Sequence, residues 1–357
     1  MSRTSRTVAA MALGFATLLA GCDKPVAGLP AAAVEPPATT PLEPPGRRLL
    51  PLRPVPMPAG ESIAFLPRET TRQVLCQAID EDKWADLLGG DVTRQVHDTF
   101  GCEVRGGGLR VRLDTTGGLY HAGVINLSGT EERTGDLGGR RARAVVTPDG
   151  KGISAAAVAL TPAAESEEVL HNYVNSIRPT LTISVTAEEY GSEHRPTHEV
   201  MVEVAEEVVP AVTPQGPTFA VPDRKANGEI PFTEMPLVRK GRIVDMPLPH
   251  QGMQLCTLAR ELLGEHANEA KVTVTDIGRC ILGTDRWNVY TYINHFSPLE
   301  DATELISGRP AAVGPHGDAR VQLRDDAPGV LHTQVSRNAP VDPWAYAEEV
   351  TSRLLAG

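Results

Sequence analysis

Residues 63–76 read IAFLPRETTRQVLC, and residues 243–256 read IVDMPLPHQGMQLC. Set 180 residues apart without a gap, they share Ile63/Ile243, Pro67/Pro247, Leu75/Leu255 and Cys76/Cys256. Each copy then closes with an Asp-x-x-x-Cys step, Asp98 to Cys102 and Asp276 to Cys280. The brackets are almost equal in length, 26 residues in the first and 24 in the second. The order of features downstream also repeats, so the chain reads as two related domains in tandem. A length of 357 residues agrees with two domains.

Working outward, the first copy continues with Asp80-Glu81-Asp82, which caps a short helix with Trp84, Leu87 and Leu88 on its apolar face and Gly89-Gly90 at its end. Gly106-Gly107-Gly108 is a turn, and Leu109 to Leu113 alternate as a half-buried strand. Further strands are expected at 120–127 and 143–146, with a hairpin through Asp149-Gly150 into 153–160. Thr161-Pro162 opens a helical run with Val169, Leu170, Tyr173, Val174 and Ile177 on one face. Residues 181–185 and 200–209 have strand character. The prolines from Pro210 to Pro236 mark 209–241 as an interdomain linker. In the second copy a shorter helix is expected at 257–264 and an alternating strand at 287–293. Ser307-Gly308-Arg309-Pro310-Ala311 answers Gly138-Gly139-Arg140-Arg141-Ala142, and Asp342-Pro343 caps a closing helix with Trp344, Ala347, Val350 and Leu354 inward. The domains are therefore 62–208 and 242–357. The fold class is α+β, each domain an antiparallel sheet flanked by helices and closed by one disulfide.

Residues 1–22 form a targeting segment. Arg3 and Arg6 precede an apolar run from Val8 to Leu19, too short to span a bilayer, and the segment ends in Leu19-Ala20-Gly21-Cys22. That ending resembles a bacterial lipobox, which implies a diacylglyceryl group on Cys22 and placement on the outer face of the cell membrane. Residues 23–61 are a Pro/Ala-rich spacer whose extended conformation would reach on the order of 100 Å. Arg47, Arg48 and Arg53 within it are read as solvated linker charges, with contact to anionic headgroups or wall polymers as the alternative.

With Cys22 assigned to lipid, four cysteines remain in an oxidising compartment, where pairing is the default. Three connectivities exist, and the repeat selects Cys76–Cys102 with Cys256–Cys280. Zinc is disfavoured, because no Cys-x-x-Cys occurs.

The composition excludes a nucleic-acid binder: net charge is −11, aromatics are 4%, and no basic stripe exists. Catalytic constellations are also missing. His194 and His198 flank Pro196 with no glutamate between them, and no Gly-x-Ser-x-Gly elbow occurs. Glu206-Glu207 and Asp325-Asp326 are adjacent acids that face different ways on a regular element. His121, His295, His316 and His332 are scattered, and Trp84, Trp287 and Trp344 read as core. Arg140 and Arg309 recur at matched positions and are the candidate ligand contacts, weighed against a bend in which the arginine pairs a surface carboxylate.

Cys76-x-x-Ile79 with its acidic helix start, the Leu87-Leu88-Gly89 ending and the glycine-preceded Cys102 resemble a domain of actinobacterial cell-envelope lipoproteins. That family pairs a lipobox and a spacer with a Cys-x-Leu-Leu-type domain of unknown function. The resemblance implies a small sheet-and-helix domain and no catalytic residue. It departs at Val104 and Leu282, where an aromatic is expected. The functional expectation is a lipid-anchored binding or interaction lipoprotein without cofactor or metal, holding an envelope lipid, glycan or protein partner. The alternatives are an accessory subunit of an envelope complex and, behind it, an exported hydrolase.

Overall fold

Leu49–Leu50 and Glu229–Ile230, again 180 residues apart, are each the outermost strand of an eight-stranded antiparallel sheet. The computed structural model describes residues 49–117, 119, 131–147, 149–165, 177–188, 193–215, 225, 227–296, 299–314 and 317–356. Pro44–Gly357 forms one compact unit. Cys22, the expected strand at 120–127, and most of the expected helix after Pro162 lie outside the described residues.

The first sheet comprises β1 (Leu49–Leu50), β2 (Thr93–His97), β3 (Gly101–Gly106), β4 (Leu109–Thr116), β5 (Glu131–Leu137), β6 (Arg140–Val146), β7 (Ile153–Ala159) and β8 (Thr180–Ala187). Their spatial order is β1-β2-β3-β4-β8-β7-β6-β5, two four-stranded meanders joined where β4 pairs with β8. The second sheet comprises β9 (Glu229–Ile230), β10 (Lys271–Thr275), β11 (Cys280–Gly283), β12 (Asn288–Asn294), β13 (Glu304–Ile306), β14 (Arg309–Val313), β15 (Asp318–Gln322) and β16 (Val330–Val335). It has the same order, with β12 on β16. Registers match as well: Cys102 faces Leu113 as Cys280 faces Thr291, and Leu113 faces Ile183 as Thr291 faces Thr333.

Helices are laid out alike. In the first domain α1 (Arg68–Cys76) covers β2 to β4, α2 (Glu81–Leu88) rests on β3, and α3 (Thr197–Val212) covers β5 to β8. In the second, α4 (Leu248–Leu263) covers β10 to β12, and α5 (Pro343–Leu355) covers β13, β15 and β16. The sheet patterns explain this layering. Leu109, Val111 and Leu113 of β4 point toward the helices and are buried. Each such side chain contributes roughly 1.5–3 kcal/mol. Disulfides tie helix to sheet in both copies: Cys76 at the end of α1 to Cys102 on β3, and Cys256 within α4 to Cys280 on β11. The α+β class, the two tandem sheets and both cysteine pairs stand as expected.

Five expectations are corrected. The spacer does not run to residue 61, because β1 pairs with β2 and Arg53 is buried. The stretch 209–241 is not wholly linker: α3 continues through Pro210 to Val212, and β9 pairs with β10. These two corrections have one cause. Residues 51–58 and 231–238 are equivalent straps, fixed by side chains of the helix that follows. Gln73 Oε1 accepts from the Arg53 N–H (3.1 Å), and Gln254 Oε1 accepts from the Val238 N–H (3.1 Å). Proline suits such a strap, which needs extension rather than a hydrogen-bond ladder.

Third, the valine-rich stretch 200–209 is helix. Its buried residues Val200, Met201, Val204, Ala205, Val208, Val209 and Val212 recur every three or four positions, and that spacing outweighs their β-propensity. Fourth, the helix of the second copy starts at Leu248, before its cysteine. Fifth, Trp344 is partly exposed rather than inward. Trp84 is fully buried and Trp287 packs at the edge of the second core.

Candidate functional site

Along β12, Val289, Thr291 and Ile293 alternate toward the helices, so Tyr290 and Tyr292 stand on the opposite face of the second sheet. Register places His332 of β16 beside Tyr292, and Arg320 of β15 beside His332. The Tyr292 and His332 rings stack with centroids 4.6 Å apart, and Tyr292 Oη lies 3.2 Å from His332 Nδ1. Tyr290 leans on Tyr292 at 5.2 Å. The Arg279 guanidinium sits over both tyrosines, 5.9 and 5.5 Å from their centroids, within cation–π range. Burial pushes His332 down to about 4, with Arg320 acting the same way against Asp318. The imidazole is therefore neutral near pH 7. The group presents π-faces, two phenols, a neutral imidazole and a guanidinium. At the register-equivalent positions the first sheet carries Arg112, Asp114 and Thr182, so the tyrosine–histidine stack has no counterpart there.

A separate buried charge cluster joins the two domains. Arg53, on the first strap, is 4% exposed and bound by two carboxylates. Its Nε and Nη2 donate to Glu69 (3.3 and 2.6 Å), and Nη1 and Nη2 donate to Asp245 (3.0 and 2.6 Å). Glu69 belongs to α1, whereas Asp245 belongs to the turn preceding α4. Asp245 also accepts from Thr70 Oγ1 (3.0 Å) and Arg324 Nη1 (3.0 Å). Burial would lower the Arg53 pKa, but the hydrogen bonds to Asp245 and Glu69 outweigh it and raise the group above its ordinary value. His295 lies beside this cluster, bonded to Gln251 Oε1 at 2.9 Å. Burial pushes it down to about 4 despite the nearby Asp245.

Sequence candidates fall elsewhere. Arg140 and Arg309 open equivalent strands, opposite Leu137 and Ile306, in separate sheets. Arg309 is engaged by both oxygens of Asp325 (3.0 and 2.8 Å) and by the Gln322 carbonyl (3.0 Å). The residue just before the shared Gly-Arg-x-Ala step seats the turn on a helix. A Cβ on Gly138 (φ 57°) would meet Val209 and Ala205 of α3. In the second copy Ser307 takes the same left-handed backbone (φ 51°) and donates to the Glu348 carbonyl of α5 (3.1 Å).

The adjacent acids are separately employed: Glu206 accepts from the Gly138 N–H, Glu207 pairs with Lys83, Asp325 with Arg309, and Asp326 with Arg324. Pro196 is the N-cap of α3, so His194 precedes the helix and His198 lies inside it. His121 and His316 lie outside the described residues. Among the described residues no three His, Cys, Asp or Glu side chains gather as a metal-ligand set. None of the described helices is long and apolar enough to cross a membrane. The Tyr290–Tyr292 alternation was the one available sequence signal for the aromatic surface. Nothing local marks Arg53 as buried. No protein-family model matches the chain, and comparison with curated proteins finds no significant relative.

Proposed function

We propose that the protein is a lipid-anchored, extracytoplasmic binding lipoprotein of the bacterial cell envelope, of the type its Cys76/Cys102 domain resembles. The observation that carries the binding role is the Tyr290–Tyr292–His332–Arg279 surface, an open sheet face with stacking and hydrogen-bonding groups. Anchoring is supported by Arg3, Arg6 and the Leu19-Ala20-Gly21-Cys22 ending. Export is supported by the two cysteine pairs, which suit an oxidising compartment. In this reading the spacer holds the two domains away from the bilayer, and the second domain offers its polar aromatic face to an envelope component. Metabolic labelling with an alkyne fatty acid in a lipoprotein-processing bacterium tests the anchor. Label on the wild-type chain and none on Cys22→Ala is expected; equal label on both would overturn it.

A further inference from the structure

Three arginines that act on one another electrostatically lie at one end of the first sheet. Arg68 is the first residue of α1, Arg72 lies one turn further, and Arg178 stands two residues before β8. The Arg178 N–H donates to the Ala64 carbonyl (2.8 Å), which places it against the turn leading into α1. Asp114 of β4 is the carboxylate that Arg68 and Arg72 share. It accepts from Arg72 Nε and Nη2 (3.5 and 3.1 Å), from Arg68 Nη2 (3.4 Å), and from the Thr115 N–H (2.9 Å).

Arg72 is buried and committed, since it also donates to the Asp98 and Thr99 carbonyls. The other two arginines are not. Arg68 makes only 3.4 Å contacts, to Thr99 O and Asp114; its Nε is buried without a partner, and its side chain is 42% exposed. Arg178 is partly exposed, and among the described residues its guanidinium has no ion pair or hydrogen bond. Burial pushes Arg178 down to about 10, and the positive charges of Arg68 and Arg72 push the same way against Asp114. Asp98 is the next acid within reach of Arg72, and its Oδ1 is occupied by the Thr99 hydroxyl (2.8 Å).

The second domain shows that the fold does not need this cluster. Carried along the matched helix and strand registers, Arg68, Arg72, Asp114 and Arg178 correspond to Leu248, Gly252, Tyr292 and Pro328. The same architecture stands there without a charged group at any of the four. Guanidinium forks match the oxygens of a phosphate, and a site with more arginine than carboxylate charge favours such a group.

We propose that Arg68 and Arg178, backed by Arg72, form an oxyanion site on the first domain that takes a phosphate group, either of a soluble phosphoester or of a lipid headgroup. The site rests on the reading of the protein as a binding lipoprotein and supplies a ligand class for it. The test uses the full chain carrying Cys22→Ala, so that no acyl chain contributes to membrane attachment. Titration with inorganic phosphate is one arm. Flotation with phosphatidylcholine vesicles, with and without phosphatidylglycerol, is the other.

Saturable phosphate binding without a vesicle preference assigns a soluble phosphoester, and retention that requires phosphatidylglycerol assigns the headgroup. In either case Arg178→Gln and Arg68→Gln should each weaken binding about tenfold or more, with added salt weakening it further. No binding in either arm, or binding unchanged in both variants, overturns the site. If Arg178→Gln loses its near-ultraviolet circular dichroism, the partly exposed Arg68→Gln decides alone. Failure here would leave Cys22 acylation and crosslinking from the Tyr290 face unaffected, so it is distinct from failure of the binding reading.

Discussion

Arg53 and Asp245 are 192 residues apart in sequence and share two hydrogen bonds, 3.0 and 2.6 Å long, in a buried contact. Through Arg53 the first strap joins α1 of one domain to the turn before α4 of the other by charged hydrogen bonds. A buried ion pair is weak evidence of net stabilisation, but removing one partner strands the other without water.

Arg53→Ala should therefore destabilise the protein by about 3–5 kcal/mol, because Glu69 and Asp245 stay buried with less positive charge between them. Urea unfolding checks this. A loss below about 1 kcal/mol would mean that the strap does not hold Arg53 inside.

The histidine beside this cluster predicts a pH dependence. His295 titrates at about 4 in the folded chain against 6.5 for the free side chain, so the unfolded state takes up its proton first. Its contribution is complete above about pH 6.5, declines as pH falls toward 4, and is gone below that. The groups facing it are Asp245, Arg53, the Gln251 side chain and the Pro328 carbonyl. Because His295 keeps some exposed surface, the loss is at most about 3 kcal/mol. His332, also near 4, adds a loss of the same sign. Denaturation midpoints from pH 7 to 4 should fall less steeply in His295→Gln than in the wild type.

Two glycines separate backbone strain from steric contact. Gly139 has φ 71° and open space where a Cβ would stand, whereas Gly107 has φ 52° and a Cβ there would strike the Leu88 carbonyl at the end of α2. Gly139→Ala should cost about 1 kcal/mol, and Gly107→Ala clearly more, within roughly 1–3 kcal/mol or above. Equal losses in thermal unfolding would contradict the seating of the Gly106–Gly108 turn on α2.

The cysteine pairs close loops of 26 and 24 residues. Replacing either pair with alanine should cost roughly 3–4 kcal/mol on the chain-entropy account. Non-reducing peptide mapping should recover Cys76 with Cys102 and Cys256 with Cys280, and a cross-domain pair would break the two-domain description.

Much of this architecture is legible in the residues because local chemistry and global fold agree. Asp80 accepts from the Lys83 N–H and Gly89 takes the left-handed conformation, as the α2 caps require. Asp342 accepts from the Ala345 N–H at the start of α5. Elsewhere local preference and tertiary context diverge. Pro210 inside α3 reads as a breaker, yet it sits on the exposed face near the helix end, where one lost hydrogen bond is tolerated. Arg53 reads as a linker charge because its partners, Glu69 and Asp245, are distant in sequence and only the paired straps bring them together. The aromatic surface is hidden for a similar reason: Tyr292 and His332 meet only through the β12–β16 pairing.

The most direct test of the binding role is photo-crosslinking in cells from the Tyr290 position. Glu265, exposed on the helix side of the same domain, serves as the control position. A photoreactive residue at Tyr290 should yield a discrete envelope adduct that is lost in Tyr292→Ala, with none from Glu265. No adduct from Tyr290, or the same adduct from both positions, would contradict a ligand at the open face of the second sheet.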